Sequence, residues 1–245
     1  MKLLLISNST NYKEPYLGWC QPLIAEFLQG TADEILFVPY AGVDVGGKVY
    51  PESYDSYTAR VRGVFEKFGK KVVSVHEVSD PVAAVNDAKF IMVGGGNTFH
   101  LVAELHRNKL IKPIRRKVME GTPYMGWSAG SNVACPTLCT TNDMPIVMPE
   151  SFDCFDLVPF QINPHYTDFF DPKHGGETRD DRLKEYIMVN PKATVAAIRE
   201  ATALLLEDGK LKLIGKPNKM KVFKTKMENT KEYGLRSNID FLLKA

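Results

Sequence analysis

A chain of 245 residues, 44% hydrophobic and 24% charged, has the make-up of a globular protein with a sizeable core. Its net charge of +2 offers no basic surplus for nucleic acid or an anionic membrane surface. The apolar start is cut off by Ser7-Asn8-Ser9, too early for a signal segment or a spanning helix, and no other run reaches membrane length. Cys20, Cys135, Cys139 and Cys154 lack C-x-x-C spacing. Without a secretory signal they read as free thiols, which points to the cytoplasm.

In chain order, a strand is predicted over residues 2–7, a helix over 22–28 and a strand over 34–38. Residues 41–53, rich in glycine and small side chains, read as a long loop, either a surface excursion or a lid near the site. A helix over 57–68 places Val61, Val64, Phe65 and Phe68 at i, i+3, i+4 and i+7, the stripe of a helix packed on a sheet. Strands over 71–78 and 90–93 flank a helix over 81–86. Helices over 98–106 and 112–120 lead to a strand over 123–127, a helix over 131–138, a strand over 158–162 and a helix over 178–189. Strands over 194–198, 203–207 and 220–223 follow. Asp208-Gly209-Lys210 reads as a hairpin turn, so the chain beyond about residue 193 should form an antiparallel appendix. Alternation of this kind predicts an α/β fold with a mainly parallel sheet covered on both faces. With no repeat and no linker, residues 1–245 read as one domain.

Open α/β sheets carry their sites at the carboxyl ends of strands. Gly94-Gly95-Gly96-Asn97, Ser128, Asn163-Pro164-His165-Tyr166 and Arg199-Glu200 each follow a predicted strand, and they converge if those strands are parallel neighbours. Gly126-Trp127-Ser128-Ala129-Gly130 fits G-x-S-x-G, a sharp strand-to-helix turn that exposes a nucleophilic serine. The plainer reading is a turn serine. A serine nucleophile needs a base. His165 is preferred, because His76 lies in a strand pattern, His100 and His106 lie on a helix, and His174 lies in a charged loop. Glu200, just past a strand end, is preferred as the acid that orients the imidazole. Asp143 is its rival, with turn capping as its plainer role. The Gly94–Gly96 run lacks the lysine of a phosphate loop. A backbone amide near residues 95–97 fits better as an oxyanion donor beside the Ala129 amide. Arg179 and Arg182 open a charged helix, where a solvated face competes with a carboxylate-binding role.

These segments resemble peptidase E, the α-aspartyl dipeptidases. The matching stretches are Leu4-Leu5-Ile6-Ser7-Asn8-Ser9-Thr10, Phe37-Val38-Pro39-Tyr40-Ala41-Gly42-Val43, residues 93–99, 126–132 and 140–147, Gln161-Ile162-Asn163-Pro164-His165, and Gly176-Glu177-Thr178-Arg179. Related members of the superfamily include cyanophycinases and, more distantly, the class I glutamine amidotransferases, the latter with cysteine at the elbow. The resemblance implies a flavodoxin-like, class I glutamine amidotransferase-like three-layer sandwich. It also implies hydrolysis of dipeptides with an N-terminal aspartate, with no cofactor and no metal. It implies Ser128 as nucleophile, His165 as base, and Glu200 as the triad acid, with Asp143 also implicated. Gly96 or Asn97, together with Ala129, matches the oxyanion hole, and Arg179 matches the arginine that holds the aspartyl carboxylate. It implies a small peptide as the only partner, with neither nucleic acid nor membrane, and leaves room for a homodimer. The loop over 43–53 looks longer than in bacterial members, and the tail from Lys224 diverges. The competing readings are a β-aspartyl, cyanophycinase-like hydrolase, a simple esterase, and a non-catalytic module that binds an acidic metabolite.

Overall fold

Strand β1 (Leu3–Ile6) is apolar and buried at every position, as a strand covered on both faces must be. The computed structural model describes residues 1–171, 173, 175–225 and 230–244. After β1 come helix α1 (Gln21–Phe27), strand β2 (Glu34–Val38), and a short ladder of β3 (Asp44–Val45) with β4 (Lys48–Val49). Helix α2 (Ser53–Phe65), strand β5 (Lys71–Ser74), helix α3 (Pro81–Asp87) and strand β6 (Ile91–Val93) follow. Helices α4 (Thr98–Arg107) and α5 (Ile111–Met119) lead into strand β7 (Tyr124–Trp127) and the one-turn helix α6 (Ala129–Asn132). The remainder is strand β8 (Gln161–Tyr166), helix α7 (Arg179–Val189), and strands β9 (Thr194–Arg199), β10 (Thr202–Glu207), β11 (Lys210–Gly215), β12 (Lys219–Lys224) and β13 (Lys231–Gly234).

The main sheet has the order β11-β10-β1-β7-β6-β2-β5. Its last five strands are mutually parallel, and β10 and β11 extend it antiparallel beside β1. Period-two alternation divides its side chains between two cores. Leu4 and Ile6 pack with Ile24 and Phe27 of α1 and with Val61, Val64 and Phe65 of α2. Leu3 and Leu5 face the other core, with Leu101 and Leu105 of α4 and Ile114 and Val118 of α5. Helices on both faces of a mainly parallel sheet are the expected α/β sandwich. Full burial of one such Leu or Phe contributes about 1.5–3 kcal/mol.

The four strands expected as parallel neighbours lie in two sheets. β6 and β7 pair in the main sheet, whereas β8 and β9 pair in a second sheet of order β13-β12-β9-β8. One face of that sheet, with Ile162, Ala196, Ile198 and Val222, joins the core under α4 and α5. Its other face, with Tyr166, Val195, Ala197 and Phe223, packs on Leu183 and Ile187 of α7. β9 runs on through Glu200 and Ala201 into β10 of the main sheet, so the chain crosses between sheets there.

Several boundaries differ from the predicted ones. The strand over 71–78 stops at Ser74, whose side chain forms a capping box with Glu77 around a 3-10 turn, Val75–Glu77. The strand over 158–162 begins only at Gln161, because Pro159 interrupts the apolar run that suggested it. The helix over 131–138 is α6 alone; Pro136 disfavours helix at the residue before it, and the chain continues in turns. Residues 41–53 are tied down by the β3–β4 hairpin and by the Ser53 hydroxyl, which donates to the Gly42 carbonyl at 2.6 Å. Ile239 and Leu242, in the divergent tail, are buried in the core.

An ion-pair network fastens the second sheet to α7. Arg199 binds Asp168 and Glu232, and Lys221 binds Asp168 at 2.9 Å and Asp180 at 3.1 Å. Both cations lie over the Tyr166 ring. Burial would raise the Asp168 carboxyl, but hydrogen bonds from Lys221, Arg199 and Tyr166 outweigh it and hold the group at about 2. A depressed carboxylate stabilises the fold above its unfolded value near 4 and loses that contribution as pH falls through its folded value. Half of the Asp168 side chain is exposed, so solvent screens the effect. Asp168→Asn is therefore expected to lower Tm by about 2–4 °C at pH 7. Thermal melts between pH 7 and pH 2 should show that difference hold down to about pH 4 and then close.

Candidate active site

β7 ends at Trp127, and Ser128 turns the chain with φ 53° and ψ −113°. A non-glycine residue there costs about 1–3 kcal/mol, so its surroundings must enforce it. They do so from both sides. The Ser128 N–H donates to the Ile6 carbonyl at 2.9 Å, and the Ser128 carbonyl receives the Ser131 and Asn132 amides at 2.9 and 3.0 Å. The single proton of the Ser131 hydroxyl is shared between the Ile6 and Gly126 carbonyls, at 2.7 and 2.9 Å. A Cβ on Gly126 would sit 2.3 Å from the Gly130 carbonyl oxygen, and one on Gly130 would sit 2.1 Å from that of Val93. Both glycines of the motif are thus required by close backbone approach.

His165 was expected beyond a strand end, but it lies inside β8, at the bulge where pairing with β9 shifts between Asn163 and Tyr166. Its own φ is 53°. Pro164 is tolerated because β8 is an edge strand. The His165 N–H donates to the Ser7 hydroxyl at 2.9 Å, and that hydroxyl donates to the Ile198 carbonyl at 2.9 Å. The imidazole Nε2 lies 2.9 Å from Ser128 Oγ, and Nδ1 lies 2.9 Å from Glu200 Oε1. A neutral ring donating from Nδ1 to the carboxylate leaves the Nε2 lone pair for the serine proton. Glu200 is 57% exposed and His165 38%, so this chain opens to solvent.

Asp143 lies elsewhere. Its Oδ2 accepts the Thr98 N–H at 2.7 Å and the Thr98 and Thr141 hydroxyls at 2.6 and 3.1 Å. It anchors the first turn of α4, where a negative charge is favourable. Between the two acids, geometry puts Glu200 on the imidazole and Asp143 on the helix.

The Asn97 amide donates to the Ala41 carbonyl at 2.8 Å, and the Asn97 side chain caps α4 by accepting the His100 N–H at 3.0 Å. That backbone amide is already spent and cannot serve an oxyanion. Among the described residues, no acceptor engages the amides of Gly96 or Ala129.

Arg179 opens α7, whose first turn is set by a capping box between Thr178 and Asp181. Its guanidinium donates to Asn142 Oδ1. The same oxygen receives Asn163 Nδ2 at 2.6 Å, while Asn142 Nδ2 donates to the Pro164 carbonyl at 2.7 Å. Asn142 thereby ties Arg179 to the strand just before His165. Burial, and then the neighbouring Arg182, hold the Arg179 pKa below the usual guanidinium value. Among the described residues no carboxylate pairs with it. It borders a cavity of about 360 Å³, lined also by Phe169, Phe170 and Arg182.

The other histidines have local partners. His76 bonds Ser74 and Asp55, His100 bonds the Tyr40 carbonyl, and His106 bonds the Asp153 carbonyl. His174 lies outside the described residues. Asp55, His76 and Glu77 bring three ligand-type atoms within 4.8 Å, but Arg62 already holds Glu77 at 2.6 Å. The four cysteines are unpaired. Among the described residues no helix is long and apolar enough to cross a membrane.

Sequence reasoning gave no individual role to Ser7, Asn8, Asn142 or Asn163. Asn8 Oδ1 accepts the Ala201 N–H at 2.8 Å, directly after Glu200. For Ser7 and Asn8 the legible signal was position, since short polar residues that follow a strand are placed to bind neighbouring backbone.

The family model Peptidase family S51 matches residues 3–214. Peptidase E from a Nostoc strain is 46% identical over 242 residues, covering 99% of this chain and 96% of the relative. Peptidase E from Escherichia coli O6:K15:H31 is 44% identical over 224 residues, covering 91% and 94%. The solved structure of a peptidase from an acI-B1 actinobacterium superposes with a TM-score of 0.68 at 19% identity, covering 97% of this chain and 96% of the other, and bears on the fold alone. Matched over nearly all of its length, the chain belongs to peptidase family S51.

Proposed function

We propose that this serine-type dipeptidase cleaves dipeptides with an N-terminal aspartate, using Ser128, His165 and Glu200. The observation that carries the substrate class is Arg179. It is a half-buried cation with no carboxylate partner among the described residues, and Asn142 joins it to the strand of the proposed base. A guanidinium desolvated in this way favours a ligand that brings the missing carboxylate, and a substrate lacking one leaves it unpaired.

In this reading Arg179 holds the aspartyl side chain. His165 takes the Ser128 proton as Oγ bonds to the peptide carbonyl carbon. The oxyanion receives the Ala129 and Gly96 amides, each such donor contributing about 10²–10³ in rate. Glu200 stabilises the imidazolium, which then protonates the leaving amine as the C–N bond breaks. Water, deprotonated by His165, hydrolyses the acyl-enzyme and releases aspartate. Asp143 acts through α4 and the Gly96 turn. Four unpaired cysteines fit a reducing compartment, and the cytoplasm is the proposed location.

Purified protein incubated with Asp-Leu, Leu-Leu and β-Asp-Leu, with chelator present, should release free amino acids from Asp-Leu alone. Cleavage confined to β-Asp-Leu would replace this reading with the isoaspartyl one. Ser128→Ala, with an unchanged melting curve, should abolish turnover.

Two further substitutions test the roles. Arg179→Met should lower kcat/KM for Asp-Leu by about 10²-fold or more. A comparable loss on any residual Leu-Leu cleavage would remove the arginine from substrate recognition. Glu200→Gln should reduce kcat by roughly 10²-fold, less than a buried triad acid, because this carboxylate faces solvent. Asp143→Asn should instead lower stability by about 1 kcal/mol through α4, with the smaller change in kcat. A reversed ranking of the two kcat losses would make Asp143 the acid.

A further inference from the structure

An aromatic cluster lies beneath the Gly94–Gly96 turn and takes no part in the steps above. Tyr57 of α2 is buried at its centre. Its hydroxyl receives Trp127 Nε1 at 3.0 Å and the Tyr16 hydroxyl at 3.2 Å, and it donates to the Gly95 carbonyl at 2.8 Å. Two incoming donors fill both lone pairs of the phenol oxygen, so its own proton is directed to Gly95. Burial pushes the hydroxyl up to about 12, which keeps that proton in place. Phe37 packs edge-on against the ring at 5.3 Å. The fit depends on Gly94, where a Cβ would come within 2.6 Å of the Tyr57 hydroxyl oxygen.

The Gly95 carbonyl and the Gly96 N–H belong to one peptide unit, and Tyr50–Pro51 is the sole cis bond among the described residues. In a trans peptide these two dipoles point in opposite directions. A carbonyl pinned into the aromatic cluster therefore turns the Gly96 N–H away from it. The following peptide is held as well, by the Asn97 amide on the Ala41 carbonyl. Gly96 has φ 139°, a conformation open to glycine. Ser128 lies against this turn, since a Cβ on Gly95 would be 2.9 Å from the Ser128 Cβ.

We propose that Tyr57 is the positioning residue of the oxyanion hole, holding the Gly95–Gly96 peptide in the orientation that presents the Gly96 N–H to the transition state. The inference rests on the reading of Gly96 as an oxyanion donor. Without the hydroxyl the peptide is free to turn over, and its carbonyl would then face the developing negative charge. An oxyanion donor acts on the transition state and not on bound substrate, so the loss falls on kcat and leaves KM.

The test is Tyr57→Phe. Its kcat on Asp-Leu should fall by about 10- to 100-fold, with KM within about two-fold. Affinity for L-aspartate, read by calorimetry, should not change. The rate of covalent labelling of Ser128 by a fluorophosphonate should fall by the same factor as kcat. Labelling places a phosphoryl oxygen in the same hole and needs no aspartyl substrate. A wild-type protein that labels but cleaves no aspartyl dipeptide would thus sink the substrate reading while Tyr57 is still judged by labelling. Unchanged kcat and labelling in the folded variant would overturn the proposal. So would a parallel loss of aspartate affinity, the mark of general loosening. Should Tyr57→Phe fail to fold, Tyr16→Phe removes one of the two donors that orient the Tyr57 hydroxyl and leaves the Trp127 N–H as the other. Both rates should then fall by roughly two- to five-fold, and unchanged rates would overturn the proposal.

Discussion

One buried hydroxyl registers the two sheets against each other. Ser7, at the end of β1, accepts the His165 N–H and donates to the Ile198 carbonyl, so a residue of the main sheet holds β8 and β9 of the second. β1 is also the parallel neighbour of β7, and the Ile6 carbonyl receives the amide of Ser128. Residues 6 and 7 therefore fix the proposed nucleophile and the proposed base from one rigid strand. Each hydrogen bond is worth only about 1 kcal/mol net. Leaving a buried partner unmade costs about 1–3 kcal/mol, which makes the register hard to slip. Asn8 extends the same logic to the acid, since its side chain receives the amide that follows Glu200.

That rigid strand is what allows strain where it is found. Ser128 and His165 both adopt positive φ. Neither conformation is favoured locally, and each is held through its backbone N–H, Ser128 by the Ile6 carbonyl and His165 by the Ser7 hydroxyl. The elbow has little helical help, because α6 is a single turn. Preorganisation in this protein comes mainly from strand carbonyls and tight glycine contacts, with the dipole of a long helix playing no part.

The parts of the fold legible in the sequence were those written in periodicity. The stripe of Val61, Val64 and Phe65 is buried against the sheet as its spacing requires, with Phe68 partly buried beside it. β2 keeps its predicted bounds, Glu34–Val38, with the apolar run Ile35–Val38 buried behind an exposed Glu34. Ser128, His165 and Glu200 were legible because each stood near a strand end. The misplaced elements failed for local reasons that hydrophobicity does not register. The valines of residues 71–78 suggest one strand, yet Ser74 and Glu77 close a capping box that ends it. The run before Gln161 contains a proline. Convergence of the site was inferred from one sheet, whereas the chain uses two, and only the long-range pairing of β8 with β9 reveals it. Polar residues that act through another residue's backbone, such as Ser7 and Asn142, carry no periodicity at all.

Charge pairing also separates the cations that have carboxylate partners from the one that has none among the described residues. Arg199, Lys221 and Arg179 lie on neighbouring elements around Tyr166. Asp168, Asp180 and Glu232 are shared between the first two, and their hydrogen bonds lift both cations above their usual values against the pull of burial. Arg179 receives none of these acids. Its polar partner is the neutral Asn142 amide, and burial and Arg182 push its pKa the other way. A carboxylate in place of Asn142 would neutralise Arg179 and would also set a negative charge beside Pro164, next to the proposed base. The neutral amide positions the guanidinium without satisfying its charge. The acidic side chains nearby thus saturate two cations and leave the third, tied through Asn142 to the Pro164 carbonyl, without a carboxylate among the described residues, which is what supports its proposed role toward an anionic substrate.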